Sequence, residues 1–147
     1  MKHTKLFLFG VLIIGLLTNA FTMTTSSDLK NTLSPEPSKL VVVWTSGDRE
    51  VALKMVFMYT YNSKKYAWWD KVRLIVWGPS SKLLSEDKEL QDYLSKMKEG
   101  GVELLACKAC ADMYGVSDKL KELGIEVKYI GKDLSEMLQA GWTCLTF

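Results

Sequence analysis

Short runs of β-branched and apolar residues recur along this sequence, each followed by a segment of helical length, and that alternation constrains the fold more than anything else in the chain. Leu40-Val41-Val42-Val43-Trp44, Val72 to Trp77, Val102 to Ala106, Glu126 to Ile130 and Thr143 to Phe147 read as strands. Between them, Arg49 to about Asn62 is helix-length. Leu90, Tyr93, Leu94 and Met97 make an amphipathic helix closed by Gly100-Gly101. A broken helix follows the third strand. Its first turn reaches Tyr114, Gly115 interrupts it, and Ser117 caps a second piece that ends before Gly124. Asp133 and Glu136 have capping-box spacing and open a short helix with Leu134, Met137 and Leu138 on one face, stopped at Gly141. Strands alternating with helices predict a mainly parallel five-stranded α/β sheet with helices on both faces.

Residues 39–147 form the expected domain. Before them, Lys2 and Lys5, the apolar run Leu6 to Leu17 and the small residues Thr18-Asn19-Ala20 have the layout of an export signal over residues 1–20. Residues 21–38, rich in Thr, Ser and Pro, read as a flexible linker. The domain is therefore expected outside the cytoplasmic membrane, periplasmic or secreted. A membrane partner enters only if the N-terminal segment stays uncleaved as an anchor.

The chain has 19 Lys+Arg against 17 Asp+Glu, and the leader contains Lys2, Lys5 and no acid, so the remainder is formally neutral. With no basic run to hold phosphates, nucleic acid is not an expected partner. The only histidine, His3, lies in the leader. Histidine-dependent nucleophilic catalysis and histidine-ligated zinc are thereby excluded from the domain.

In parallel α/β sheets the reactive loops lie beyond the carboxyl ends of the strands. Three loops fall there: Thr45-Ser46-Gly47-Asp48, Gly78-Pro79-Ser80-Ser81 and Cys107-Lys108-Ala109-Cys110. The last holds two of the chain's three cysteines. Four readings compete for this pair. A Cys-x-x-Cys at a strand-to-helix turn suits a thiol–disulfide switch. A metal clamp lacks ligands, since only Cys144 remains, and no cofactor is implied. Buried free cysteines also serve as small packing residues, the expected role of Cys144 in its apolar terminal strand. The fourth reading is a sulfur carrier. Cys110 in the first turn of a helix meets unpaired backbone N–H groups, which favour the thiolate, and Lys108 adds positive charge if it turns inward. Such a thiolate accepts sulfane sulfur as a persulfide, with Cys107 releasing it. Thr45, Ser46, Ser80 and Ser81 either line a small anion pocket beside the thiol or cap helices. Tyr114, one turn beyond Cys110, either touches the sulfur site or packs in the core.

The segment Val51 to Tyr61 has Lys54 as its only charge. A helix lying on one sheet face carries a polar outer side. This one lacks it, and Trp68-Trp69 adds apolar area nearby, so self-association is expected.

The stretch Gly101 to Gly115, with Leu104-Leu105-Ala106-Cys107-Lys108-Ala109-Cys110 at its centre, resembles the strand-plus-cysteine segment of the DsrE/DsrF-like sulfur-relay family, above all members reading Cys-Gly-Thr-Cys-Leu-x-x-Tyr-Gly. The opening strand, Phe57-Met58-Tyr59-Thr60 and Leu74-Ile75-Val76-Trp77-Gly78 are also similar, so that the likeness spans residues 39–147. The resemblance implies a flavodoxin-like three-layer α/β/α domain that assembles as a trimer or hexamer. It also implies sulfur relay, with the acceptor thiol at the position of Cys110 and a donor or acceptor that is a protein or a small sulfane-sulfur compound.

Overall fold

The computed structural model describes residues 36–147; the expected leader and all but the end of the linker lie outside the described residues. Five strands form one parallel sheet: β1 (Lys39–Trp44), β2 (Lys71–Val76), β3 (Glu103–Cys107), β4 (Glu126–Lys128) and β5 (Thr143–Thr146). Their spatial order is β4-β3-β2-β1-β5. Leu40 pairs with Val72, Val41 with Cys144, Arg73 with Glu103 and Cys107 with Lys128, which fixes the register across the sheet.

That order dictates the layers. The chain steps in one direction from β1 to β4, and right-handed crossovers then put every intervening helix on the same face. The last connection runs back across the sheet, so its helix covers the other face. The packing agrees. Leu40, Val42, Trp44, Leu74, Val76, Leu104 and Ala106 turn to the first face with residues from all the helices before β4. Val41, Val43, Ile75, Leu105 and Cys107 turn to the second, against Ile130, Leu134 and Met137. This is a three-layer α/β/α domain, five helices deep on one side and one helix thick on the other.

The first helix, α1, runs as an α-turn Arg49–Val51, a π-helical stretch Ala52–Phe57 and an α-helical stretch Met58–Lys65. Asp48 caps it, its Oδ1 accepting from the amides of Glu50 at 2.7 Å and Val51 at 3.2 Å. The wider π turn places residues five apart on one side. Ala52 and Phe57 can therefore both enter the core, where Phe57 meets Trp44 edge-on at 5.0 Å. The opposite side leaves Met55 and Met58 about half exposed, with Tyr66 and Trp68 exposed beyond them.

The helix α2 (Pro79–Glu86) was not expected from the sequence, and α3 (Lys88–Glu99) begins earlier than its apolar spacing suggests. Asp87 separates them and caps α3 through Leu90 N at 3.0 Å. The broken helix is found as α4 (Lys108–Met113) and α5 (Ser117–Glu122), with Gly115 at φ 69° in the break. Ser117 is not its cap; Val116 holds that position and the Ser117 hydroxyl donates to Asp112 Oδ1. The final helix, α6 (Ile130–Gln139), starts three residues before the expected capping box. Asp133 lies inside it and pairs with Lys128 at 2.7 Å. Ser38, at the end of the expected linker, is tied to Asp70 through its amide at 2.7 Å and its hydroxyl at 2.8 Å.

Candidate functional site

The carboxyl ends of β1, β2 and β3 bring the three expected loops to one edge. Cys107 is both the last residue of β3 and the residue that opens α4, with φ −70° and ψ 110°. Extended there, it ends the strand with its side chain on the second face, buried beside Ile130 and Met137. Three residues on, Cys110 lies half-buried in the first turn of α4 and packs against the same cluster. Both are free thiols.

Beside the Cys110 sulfur lie the Cys107 side chain and the backbone N–H of Gly78, from the turn after β2. Gly78 holds φ 75° and ψ −136°, a conformation essentially restricted to glycine. A Cβ placed there would meet nothing within 4 Å, so the glycine is required by backbone conformation and not by crowding.

Burial pushes the Cys110 thiol above its usual range, the neighbouring Cys107 side chain pushes it further, and the Gly78 amide only partly opposes them. The resting group is a thiol. The expected standing thiolate is not found, because α4 is only six residues long whereas the sulfur is desolvated against the α6 layer. Lys108 does not alter this. Its ammonium pairs with Asp112, which holds it above its usual range, and lies 5.7 Å from the centre of the Tyr129 ring.

Three of the four loop hydroxyls are engaged with backbone. Thr45 Oγ1 donates to the Phe147 carbonyl at 2.7 Å. Ser46 Oγ accepts from Asp48 N at 3.0 Å. Ser80 Oγ is fully buried, donates to the Trp44 carbonyl at 2.6 Å and accepts from Trp77 N at 3.0 Å, clasping the ends of β1 and β2 together. The Ser81 hydroxyl is buried without a partner. Cys144, expected in the core, is exposed on the edge strand β5.

Tyr114 turns to a groove of about 220 Å³ lined also by Gly47, Pro79, Lys82, Leu83 and Glu86. Four of these come from α2, the helix hidden from the sequence reading. The opposite charges of Lys82 and Glu86 one turn apart were the available signal. Around the cysteines, then, the edge supplies a protonated nucleophile, a second sulfur in contact with it, one amide donor and an adjoining groove.

The profile of the DsrE/DsrF-like family matches residues 39–147. Among solved structures, a conserved Bacteroides thetaiotaomicron protein of unknown function is similar at 34% identity and TM-score 0.72, over 75% of this chain and 95% of that one. A Methanobacterium thermoautotrophicum protein of unknown function shares the fold at 23% identity and TM-score 0.60, over 75% of this chain and 100% of that one. No curated protein matches. The family profile thus runs from β1 through β5, across both cysteines and the Gly78 turn, and this chain belongs to the DsrE/DsrF-like family.

Proposed function

We propose that this protein is an exported sulfur carrier of the sulfur-relay type, holding sulfane sulfur as a persulfide on Cys110 with Cys107 as its partner thiol. One observation carries the reading: the Cys110 sulfur sits half-buried at the strand ends with an amide donor and a second thiol in contact with it. A raised thiol is not an obstacle to a carrier. Only the deprotonated fraction attacks, so loading is slow at neutral pH and speeds as pH rises. Once formed, the persulfide is more acidic than the thiol, and the Gly78 amide then has an anion to stabilise. Cys107 releases the cargo by attacking Cys110 Sγ, expelling the outer sulfur as hydrosulfide and leaving a Cys107–Cys110 disulfide; a dithiol reductant, itself oxidised to its disulfide, then restores the two thiols.

The test is intact-mass measurement of the reduced protein after incubation with inorganic polysulfide. One added sulfur atom is expected, absent in Cys110→Ala and retained in Cys107→Ala. A reduced wild-type protein that gains no sulfur overturns the reading.

The contact between the two thiols also favours a second reading, a switch that toggles the Cys107–Cys110 disulfide without sulfur cargo. A measurable reduction potential together with no sulfur uptake selects it. In either case we propose cleavage after Ala20 and self-association through the Met55, Met58 and Trp68 side of α1, whose apolar exposure supports it.

A further inference from the structure

The groove beside the thiol has a composition that selects its occupant. Its apolar walls are Pro79, Leu83 and Tyr114, and its charges are Lys82 and Glu86, one turn apart on α2. Elsewhere on the surface, Lys-first pairs at the same spacing close on each other: Lys88 with Asp92, Lys108 with Asp112 and Lys132 with Glu136. Lys82 and Glu86 do not. Among the described residues neither joins any ion pair. One free cation and one free anion therefore stand over a cleft of about 220 Å³. That is smaller than the roughly 300–1,000 Å³ of drug-sized pockets and suits a molecule the size of an amino acid.

The groove also adjoins the sulfur site. Pro79 directly follows Gly78, whose amide lies beside the Cys110 sulfur, and Tyr114 N donates to the Cys110 carbonyl at 3.1 Å.

We propose that this groove binds the amino-acid end of a small zwitterionic persulfide, a cysteine-type hydropersulfide, with its carboxylate on Lys82, its ammonium on Glu86 and its sulfane sulfur directed at Cys110. This deepens the carrier function and rests on it. The transfer is a sulfur exchange with no net oxidation. Cys110 loses its proton to solvent and its sulfur attacks the outer sulfur of the donor. The donor's S–S bond breaks as the new one forms. The departing thiolate takes up a proton, leaving the free amino-acid thiol and the Cys110 persulfide.

Binding and transfer are separable in the full-length chain. S-methyl-L-cysteine has the same zwitterionic end and no sulfur to give. It is expected to produce saturable amide shifts at Leu83 and Tyr114, with affinity about tenfold weaker in the double variant Lys82→Gln/Glu86→Gln, which keeps the net charge. Loading of Cys110 from cysteine hydropersulfide should slow by a similar factor in that variant, while loading from inorganic tetrasulfide stays unchanged. No saturable shift, or equal affinity in the double variant, overturns the groove assignment and leaves tetrasulfide loading to speak for the carrier. Saturable binding with no sulfur gained from either donor overturns the transfer and the carrier function together.

Discussion

Replacing Gly78 by alanine perturbs the site without touching a neighbouring atom. A Cβ at this position meets nothing within 4 Å, so the substitution adds no clash and removes no contact. What it changes is the cost of φ 75° and ψ −136°. A residue held in a sparsely populated region of this kind costs about 1–3 kcal/mol. For a domain of this size that corresponds to a fall in Tm of roughly 4–12 °C. Urea denaturation is the assay: the midpoint should drop while the m value stays the same. The alkylation rate of Cys110 against pH reports the same turn from the other side, because rotating the Gly78 peptide to relieve strain takes its amide away from the sulfur. The thiol then titrates higher, having lost the one group that lowers it. Gly124→Ala is an instructive contrast, since its Cβ would strike Lys98 Nζ, a movable side-chain end far from the cysteines. It should lose stability and leave Cys110 alkylation unchanged. An unshifted midpoint in Gly78→Ala, together with an unshifted alkylation profile, refutes the reasoning.

Cys110 alkylation should have its midpoint above the ordinary thiol value of about 8.5, and Cys107→Ala should lower it by removing a neighbouring group that raises it. Asp70, Asp87, Asp112 and Asp133 are all held below the usual carboxylate range, each first by a hydrogen bond to its neighbour. Their folded values lie under the unfolded ones, so their stabilisation is present above about 3.9 and is lost as pH falls through the folded values. Denaturation midpoints measured down an acid series should bend there, and less in Asp70→Asn. Phe57→Ala removes a fully buried ring packed edge-on against Trp44 and Tyr93 and should cost about 3–5 kcal/mol by chemical denaturation. Met58→Glu places a charge on the exposed side of α1 and should shift sedimentation towards the monomer; an unchanged sedimentation coefficient removes that side as the contact.

The sheet was legible because its central strands are apolar residue after residue, as a strand covered on both faces must be. The helix α2 was not. Its buried positions include Ser80 and Ser81, so the polar residues that marked a loop in the sequence are turned inward, one of them onto the Trp44 carbonyl. Cys144 misled for a different reason. Apolar neighbours in sequence bury a residue only if something covers the strand, and β5 is an edge. At the site, both sulfurs and the Gly78 turn were readable from spacing and strand order. The protonation state was not, because it depends on how deeply α6 buries Cys110, and no residue near the cysteines in sequence records that. The role of Lys108 was likewise undecided until Asp112, one turn on, was seen to engage it.

The uneven layering has a kinetic consequence. The face that holds Cys107 is covered by a single helix, α6, through Ile130 and Met137, while the opposite face is covered by five helices. Detaching that single outer segment uncovers the hidden thiol without disturbing the larger half of the molecule. Modification of Cys107 and deuterium uptake along 130–139 should thus share one opening equilibrium, with a free energy well short of global unfolding.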